Sequence, residues 1–172
     1  MGNTVFCINL GDCRSLICRS GKAIQLTNDH SVTCKKEVQR IVQNNGSVVA
    51  GRLGGRLAVA RALGDFEFKV VKDDQGCVHQ LTYLSIVPEV TQWELDLDLD
   101  EFIVIGSDGL FEKLSNQEIC DFISKELDSQ PFGAQDLKLV ADRIVRHAEK
   151  LNVSDNVTCL IVGLKRGNLS NL

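Results

Sequence analysis

The feature that most constrains the fold is an apolar run that ends abruptly in a turn. Residues 102–105, FIVI, are predicted to form a buried strand, and Gly106-Ser107-Asp108-Gly109 follows them directly. A carboxylate at the end of a buried strand costs free energy unless another group pairs with it. The sequence therefore raises the question of what the Asp108 side chain pairs with.

The order of elements around this strand predicts an α+β fold. Strands are predicted at TVFCINL and within SLICRSGKAIQLT, where residues 19–22 turn a hairpin. After EFIVIG, Ser115 and Glu118 form a capping box that opens a helix. Its core face is predicted to consist of Ile119, Phe122 and Ile123. A second helix is predicted near 134–151, and NVTCLIVGL follows it as a strand. The apolar residues that recur at helical spacing in this helix are Leu137, Val140, Ala141, Ile144, Val145 and Ala148. Many strands followed by two adjacent helices are typical of α+β rather than alternating βαβ units.

The middle of the chain is predicted to be one helix followed by short strands. The helix lies in KKEVQRIVQNNG and ends at Gly46. Its apolar face is predicted to consist of Val38, Ile41 and Val42. SVVAGRLGGRLAVARALGD is predicted to form two short strands around Gly54-Gly55. In YLSIVPEVTQWEL, Pro88 indicates an edge strand or a bulge.

Composition and charge argue against several classes of protein. The formal net charge of -4 gives no electrostatic footprint for nucleic acid or an anionic membrane surface. No apolar stretch is long enough to span a bilayer, and MGNTVFCINLG lacks the features of a signal peptide. The 7 cysteines form no Cys-x-x-Cys pair, which fits a reducing compartment. We therefore expect a cytoplasmic protein, with the nucleus as the alternative, that binds neither nucleic acid nor membrane.

Four aspartates share one local pattern. Asp12, Asp65, Asp108 and Asp155 each lie beside Gly or Asn at the end or start of a predicted strand. One such residue alone is most often a turn aspartate. Several in one domain suggest convergence on a hard cation with oxygen ligands, magnesium or manganese. Glu112 follows Asp108 by four residues, so a helical turn there would point both carboxylates the same way.

Two further motifs are given structural interpretations. LDLDLD, residues 95–100, has the alternating spacing that opens a calcium-binding EF-hand loop, but Glu101 and Ser107 replace the required Gly and Glu. A solvated acidic face before the strand is the preferred interpretation. GRLGGR lacks Gly-Lys-Ser/Thr and a following helix, so it is predicted to be a hairpin turn with surface arginines.

Six stretches resemble, in order along the chain, the motifs of a known family. They are GDCRSLICRSGKAIQLTNDH, EVQRI, GGRLAVARALGDFEFK, VPEV, EFIVIGSDGLFEKLSNQE and VSDNVTCLIV. Together they resemble the metal-dependent, type 2C serine/threonine protein phosphatases from about residue 4 to residue 164. The resemblance implies a sandwich of two antiparallel β-sheets flanked by helices. It also implies two divalent metal ions bridged by a water, which attacks phosphoserine or phosphothreonine.

The resemblance assigns roles to the acidic side chains one by one. Asp108 matches a metal ligand in the family's Ser-Asp-Gly motif, and Asp155 matches the ligand of its terminal Asp-Asn motif. Asp65 matches an aspartate that helps to hold a third, weaker metal ion. Glu112 stands where that weaker site usually has an aspartate, so the charge is kept and the reach is changed. Structural roles near the site are implied for Asp12, Arg14 and Asn156.

The resemblance also implies what these 172 residues lack. Family members carry an N-terminal segment with a phosphate-binding arginine, a Glu-Asp pair and an Asp-Gly-His-Gly motif. Its aspartates bridge the two metal ions, and its histidine is the general acid. No Asp-Gly-His triplet occurs in this sequence. We therefore expect a single incomplete domain over 1–172, with about two thirds of the family domain and roughly half of the metal shell. Magnesium or manganese binding is expected to be weak or absent, and the catalytic set incomplete.

Three hypotheses about function follow. In the first, the chain is part of a phosphatase whose remaining residues lie on a longer chain or on another chain, and these residues alone are inactive. In the second, it is a pseudophosphatase that binds partners without chemistry. In the third, it is a truncated gene product with no independent role. The expected partners are a phosphoprotein substrate or a protein partner, and a second copy that pairs through exposed sheet edges.

Overall fold

The computed structural model divides the chain into two compact units, which are described separately here. It describes residues 3–131 and 135–164. The first unit, called the sheet unit below, comprises Met1–Cys7, Cys13–Thr27 and Val90–Leu172. The second, called the loop unit, comprises Ile8–Asp12 and Asn28–Glu89. The single incomplete domain over 1–172 stays a prediction.

The described residues form ten strands, four α-helices and one 3₁₀ turn. The strands are β1 Thr4–Asn9, β2 Arg14–Arg19, β3 Lys22–Gln25, β4 Val48–Val49, β5 Arg52–Leu53, β6 Val70–Lys72, β7 Val78–Gln80, β8 Glu89–Glu94, β9 Asp100–Gly106 and β10 Cys159–Gly163. The helices are α1 Lys35–Gln43, α2 Asp108–Phe111, α3 Asn116–Asp128 and α4 Leu137–Lys150, and the 3₁₀ turn is Phe66–Phe68.

A four-stranded antiparallel sheet forms the centre of the sheet unit. Its strand order is β10-β9-β2-β3, so β9 lies between two partners. The hairpin between β2 and β3 turns at Ser20-Gly21, where both residues have positive φ (49° and 73°). That geometry matches the twist of the strands and confirms the hairpin predicted at residues 19–22.

One face of this sheet packs against the helices. The buried cluster there consists of Leu16, Cys18, Phe102, Val104, Leu110, Leu114, Ile119, Cys120, Ile123, Val140, Ile144 and Ala148. α3 begins with the predicted capping box, since the Ser115 hydroxyl accepts from the Glu118 N–H and the Glu118 carboxylate accepts from the Ser115 N–H. α4 follows the predicted periodicity, and the predicted start at residue 134 lies outside the described residues.

The other face of the sheet packs against a second, two-stranded sheet. β1 and β8 form this sheet, and Val5, Cys7 and Trp93 pack on the buried Ile17 and Ile103. Two layers of sheet with helices outside are the sandwich that the sequence predicts, so the α+β prediction is confirmed. No helix within residues 3–131 and 135–164 has the length and apolar content needed to cross a bilayer.

The loop unit contains little regular structure. α1 packs beside the short β4–β5 hairpin, and a second hairpin, β6–β7, lies against the 3₁₀ turn. The buried cluster consists of Val32, Ile41, Leu53, Ala60, Phe68 and Leu84. The β4–β5 hairpin turns at Ala50-Gly51, which have positive φ (50° and 71°). The predicted turn at Gly54-Gly55 is also present, because both glycines have positive φ (55° and 74°) and a single antiparallel bridge pairs Leu53 with Leu57. The turn at Ala50-Gly51 was not predicted.

Two predictions about acidic and apolar residues are wrong, for one reason. In α1, Val42 is exposed and Glu37 is buried, although periodicity places Val42 on the apolar face. Asp100, predicted to lie on a solvated acidic face, is fully buried. Each buried carboxylate has guanidinium partners, because Glu37 pairs with Arg40 and Arg61 and Asp100 pairs with Arg19. Paired charges can be buried where isolated ones cannot.

Candidate functional site

Two segments of the sheet unit meet where β9 ends and β10 begins. The strands are antiparallel, and Gly106 lies opposite Cys159 in the register. The Ser107–Asp108 turn therefore emerges at the same edge of the sheet as the 152–158 loop. This edge brings Asp108 and Asp155 into neighbouring segments, although 47 positions separate them in the sequence.

Ser107 joins the two segments by three hydrogen bonds. Its N–H donates to the Thr158 carbonyl at 3.2 Å, and its hydroxyl donates to the Asn156 carbonyl at 3.1 Å. The same hydroxyl accepts from the Thr158 N–H at 3.0 Å. Ser107 thus extends the strand pairing by one step beyond Gly106 and fixes where the next residue, Asp108, enters α2.

Gly109 brings the two main chains into close approach. A Cβ atom at this position would lie 2.4 Å from the Asn156 carbonyl oxygen and 3.1 Å from its carbonyl carbon. Heavy atoms do not approach so closely without displacement. Only glycine therefore allows the first turn of α2 to lie directly on the segment that carries Asp155.

Each aspartate uses one carboxylate oxygen locally and presents the other outward. Asp108 Oδ1 accepts from the Gly109 N–H at 2.9 Å, and Asp155 Oδ1 accepts from the Asn156 N–H at 2.7 Å. Both residues are exposed, and within the described residues Oδ2 of each has no protein hydrogen-bond partner. Exposure answers the question raised by the sequence, because a solvated carboxylate at this strand end needs no burial partner.

Glu112 anchors the loop that carries Asp155. Its Oε2 accepts from the Ser154 N–H at 2.7 Å and from the Ser154 hydroxyl at 3.0 Å. The Lys113 ammonium lies 3.3 Å from Oε1. The hydrogen bond from the Ser154 N–H is the main cause that lowers the pKa of the Glu112 carboxyl. Glu112 therefore holds the loop in this structure, and its role as a weaker metal ligand stays a prediction.

The remaining predicted residues lie in different surroundings. Asp65 belongs to the loop unit, is exposed, and takes the left-handed conformation (φ 47°) directly before the 3₁₀ turn. Asp12 also belongs to the loop unit and is half-buried. In the sheet unit, Arg14 Nη1 donates to Asn116 Oδ1 at 2.7 Å, and its guanidinium lies 4.5 Å from the centre of the Phe111 ring. Asn156 is exposed and contributes its backbone carbonyl to the Ser107 hydroxyl.

The carboxylate oxygens at this edge are suitable ligands for a hard cation, but too few of them are present to enclose one. Carboxylate oxygens are what magnesium and manganese prefer. Among residues 3–131 and 135–164, however, no group of three or more His, Cys, Asp or Glu side chains is placed to hold a metal ion. The arrangement can contribute two carboxylates to a metal site and cannot enclose the ion with these residues, so no step through a metal is derived from it.

Sequence reasoning missed three residues that build this edge. Ser107, Gly109 and Ser154 hold the two segments together by contacts over 42 to 51 positions of sequence. Ser107 and Gly109 flank the aspartate in the SDG motif, which was the available signal. No local signal marks Ser154, because its partner Glu112 is identified only by the fold.

The sequence is similar to that of known proteins. The profile of a family described as "Protein phosphatase 2C" matches residues 1–157. A rice protein named "Probable protein phosphatase 2C 27" is 38% identical over 163 residues, which are 94% of this chain and 43% of that protein. Human "Protein phosphatase 1A" is 36% identical over 155 residues, 90% of this chain and 39% of that protein. The chain thus spans about two fifths of the length of the curated relatives it matches.

Solved structures show the same similarity of fold. A Toxoplasma gondii phosphatase superimposes with a TM-score of 0.78 and 28% identity, over 94% of this chain and 48% of that one. A Caenorhabditis elegans sex determining protein superimposes with a TM-score of 0.82 over 96% of this chain and 38% of that one. The second is 22% identical, so it supports the fold alone.

Proposed function

This chain belongs to the protein phosphatase 2C family, and on this premise we propose that it forms part of an enzyme that hydrolyses phosphoserine and phosphothreonine in proteins. The observation that carries the proposal is the pairing of the Asp108 and Asp155 segments at one sheet edge, each with an outward carboxylate oxygen. A bound magnesium or manganese ion supplies such chemistry by lowering the pKa of a water to give a nucleophile.

In this proposal the residues of the chain hold the two carboxylates rather than perform a proton transfer. Ser107 and the glycine at 109 set the separation of the two main chains. Glu112 fixes the loop before Asp155 through Ser154. Asp65 is proposed as a ligand of a weaker third ion, with Glu112 as a further candidate. Positioned groups of this kind reduce the reorganisation that a reaction requires.

We propose further that these 172 residues alone do not turn over substrate. Two carboxylates without a third neighbouring ligand support only weak binding of magnesium or manganese. The sequence also offers no Asp-Gly-His motif for the general acid that the family resemblance implies. A longer chain, or a second chain that supplies those groups, would then be the active form.

Phosphatase assays with manganese test both parts of this proposal. The 172-residue chain is expected to hydrolyse p-nitrophenyl phosphate and a phosphothreonine peptide no faster than the background rate. A longer product of the same gene is expected to hydrolyse both and to lose activity with Asp108→Asn or Asp155→Asn. Asp74→Asn, an exposed aspartate of the loop unit, is the matched control. Turnover by the 172-residue chain that is lost in Asp155→Asn would contradict the inactivity, and a longer product without any turnover would contradict the enzyme.

A pseudophosphatase is the second candidate, and the absence of a three-ligand cluster among the described residues favours it. In that case the chain would bind a phosphoprotein or another protein partner without hydrolysis. Calorimetry with manganese and with a phosphothreonine peptide separates the two candidates. Peptide binding that needs no metal and is unchanged by Asp108→Asn would support the binding module. Peptide binding that requires manganese and is lost in Asp108→Asn would oppose it.

We also propose that the sheet unit pairs with a second copy of itself. β10 is an edge strand, and on one face Ile105, Leu160 and Val162 are 43%, 53% and 41% exposed. Exposed edges with apolar side chains recruit strands from other chains. Light scattering at tens of micromolar is expected to give a dimer, and Leu160→Lys a monomer. Leu139→Lys, on α4, is the control, and a wild-type monomer would refute the proposal.

A cytoplasmic location is proposed, with the nucleus as the alternative. The support is that the seven cysteines form no disulfide among the residues that the structure describes, as expected in a reducing compartment. Imaging of a tagged chain in cells would check it, and secretion with disulfide formation would contradict it.

A further inference from the structure

The loop unit contains a histidine that is almost completely buried. His30 is 3% exposed, whereas the other two histidines of the chain, His79 and His147, lie on exposed or partly exposed surfaces. His79 contacts Asp73, and His147 stacks on Phe122. Of the three histidines, only His30 has a buried ring, so its protonation should have the largest effect on the stability of the loop unit.

His30 holds the turn that ends at Gly11. The backbone N–H of Gly11 donates to the ring nitrogen Nδ1 of His30 at 3.1 Å. In return, the backbone N–H of His30 donates to the Gly11 carbonyl at 2.8 Å. The Asn9 side-chain amide donates to the Asn28 carbonyl at 2.9 Å beside this pair. The Ala60 N–H donates to the His30 carbonyl at 2.7 Å. One short segment therefore ties Asn9–Gly11 to the rest of the loop unit.

The bond from Gly11 fixes the protonation state of the ring. An N–H donor requires an acceptor, so Nδ1 carries no proton and the neutral ring carries its proton on Nε2. Nε2 is buried and, within the described residues, has no hydrogen-bond partner. A second proton on Nδ1 would remove the bond from Gly11 and would place a full charge in a buried site without a partner.

The surroundings of the ring act in the same direction. Burial is the main cause that lowers the pKa of His30, and the positive charge of Arg61 lowers it further. The carboxylates of Glu37, Glu89 and Asp29 raise it and do not reverse the shift. Glu37 is already paired with the Arg61 guanidinium at 2.6 Å, which reduces what it offers to the ring.

We propose that His30 is an acid-sensitive latch, which closes the Asn9–Gly11 turn while its ring is neutral and releases the turn when Nδ1 is protonated. The turn leads directly into Asp12, so release loosens the segment that carries this residue. The latch does not depend on the phosphatase proposal, because it rests on the loop unit alone.

The sign of the pH dependence follows from the lowered pKa. The pKa of His30 is lower when the latch is closed than when it is open. At pH values between these two pKa values, the open form therefore binds the proton more tightly than the closed form. The stabilisation by the latch is therefore complete above the ordinary histidine pKa of about 6.5 and is lost as the pH falls from there through the folded value. Each unit by which the pKa is lowered changes the opening equilibrium about tenfold.

NMR of the ¹⁵N-labelled chain tests the latch directly. Long-range ¹H–¹⁵N spectra give the tautomer and pKa of each ring, and His79→Gln and His147→Gln assign the signals. We expect His30 to be in the Nε2–H tautomer, with a pKa below the ordinary histidine value. An Nδ1–H tautomer, or a pKa at or above the ordinary value, would overturn the proposal.

Hydrogen exchange of the Gly11 amide gives the second measurement. After correction for intrinsic exchange, its protection is expected to fall at least tenfold between neutral pH and pH 5. In His30→Asn the side-chain carbonyl can accept from Gly11 but does not titrate, so this fall should disappear, whereas His79→Asn should keep it. An equal fall in wild type and His30→Asn would refute the latch. If His30→Asn does not fold, the ring spectra of the wild type decide.

Discussion

The two units of the molecule are stabilised in different ways. The sheet unit has a four-stranded ladder and an apolar cluster between that ladder and α3 and α4. The loop unit has hairpins of two or three residues per strand and a smaller apolar cluster beside α1. Short strands satisfy few backbone groups, so the loop unit must bind its remaining carbonyls in some other way.

Two arginines of the loop unit supply those bonds. Arg40 donates to the carbonyls of Tyr83 and Ala60 at 2.8 and 2.7 Å, and Arg61 donates to that of Val87 at 2.9 Å. Both guanidiniums also bond the buried Glu37 carboxylate, Arg40 at 2.8 Å and Arg61 at 2.6 Å. A single carboxylate thus orients two forks of donors, each of which holds a different stretch of irregular backbone.

The difference teaches that burial of charge and irregular backbone go together, and the sheet unit follows the same rule, since its buried Asp100 accepts from the Asp96 N–H in the turn before β9. A regular ladder satisfies its own polar groups, so its surroundings can be apolar. Loops leave carbonyls that need strong donors, and arginine provides several in a rigid plane. The sheet unit should therefore respond most to loss of apolar volume, and the loop unit to loss of charge and to acid.

The largest effect is expected from Leu16→Ala in the sheet unit. Leu16 is fully buried in the cluster between sheet and helices, and the cavity left there should cost about 4 kcal/mol of unfolding free energy. Urea unfolding followed by circular dichroism measures this cost. Leu139→Ala, at a partly exposed position of α4 outside the proposed dimer interface, is the control. A cost below about 1 kcal/mol would mean that the sheet unit does not depend on close packing.

Glu37→Ala should be the most damaging change of charge in the loop unit. Removing one partner of a buried pair leaves the other charges unpaired, which costs about 3 kcal/mol. Glu67→Ala breaks the exposed Arg56–Glu67 pair and should cost at most about 0.5 kcal/mol. Urea unfolding measures both losses of unfolding free energy. Equal losses would show that burial of the Glu37 carboxylate does not increase its contribution to stability.

Acid should affect the same carboxylate. Burial raises the pKa of Glu37, and the bonds from Arg61 and Arg40 outweigh it, so the net pKa is lowered. The stabilisation is therefore present above the ordinary glutamate pKa and is lost as the pH falls through the folded value. In Glu37→Gln the loss of stability below pH 5 should be smaller than in wild type, as thermal melts at several pH values would show.

Gly109→Ala tests the close approach at the candidate site and should cost about 2 kcal/mol, because the new methyl group overlaps the Asn156 carbonyl. The change should move the backbone resonances of residues 152–158 and leave those of the loop unit in place. Unchanged chemical shifts in that segment would contradict the contact. Urea unfolding gives the accompanying free energy.

The smallest effect concerns the start of α3. Ser115→Ala removes the capping hydroxyl and should cost about 1 kcal/mol. Ser129→Ala, at the other end of the helix, removes only a bond to the Glu126 carbonyl and should cost less. Because α3 belongs to the sheet unit, hydrogen exchange should rise within its first turn and not in α1. If amide hydrogen exchange rose equally in α3 and α1, the two units would not respond independently to the loss of this cap.

Features that depend on neighbouring residues were predictable from the sequence. The capping box of α3, the hairpin at Ser20-Gly21 and the helical face of α4 all have local signals, and all are confirmed. The turn at Ala50-Gly51 was missed because alanine rarely takes positive φ, while a nearby pair of glycines offered a stronger signal. Local prediction succeeds where a turn or cap position is occupied by a residue type that prefers its conformation.

Features that depend on distant partners were not predictable in this way. The burial of Glu37 requires Arg61, 24 positions later, and the burial of Asp100 requires Arg19, 81 positions earlier. Asp100 was predicted to be solvated because nothing near it in the sequence identifies Arg19 as its partner. At the candidate site, the resemblance identified Asp108 and Asp155, but only the antiparallel pairing of β9 and β10 puts their segments together.

The contacts between those two segments are unequal in a way that affects mutational tolerance. On the β10 side, the contacts with Ser107 and Gly109 use main-chain atoms, the carbonyl of Asn156 and both backbone groups of Thr158. On the β9 side they need a hydroxyl at 107 and no side chain at 109. In a saturation library, the side chains at 156 and 158 could therefore be exchanged widely without moving either aspartate. Positions 107 and 109 could not, so the spacing of the two carboxylates depends mainly on the Asp108 segment, and the Ser154 hydroxyl is the side-chain contribution of the other segment.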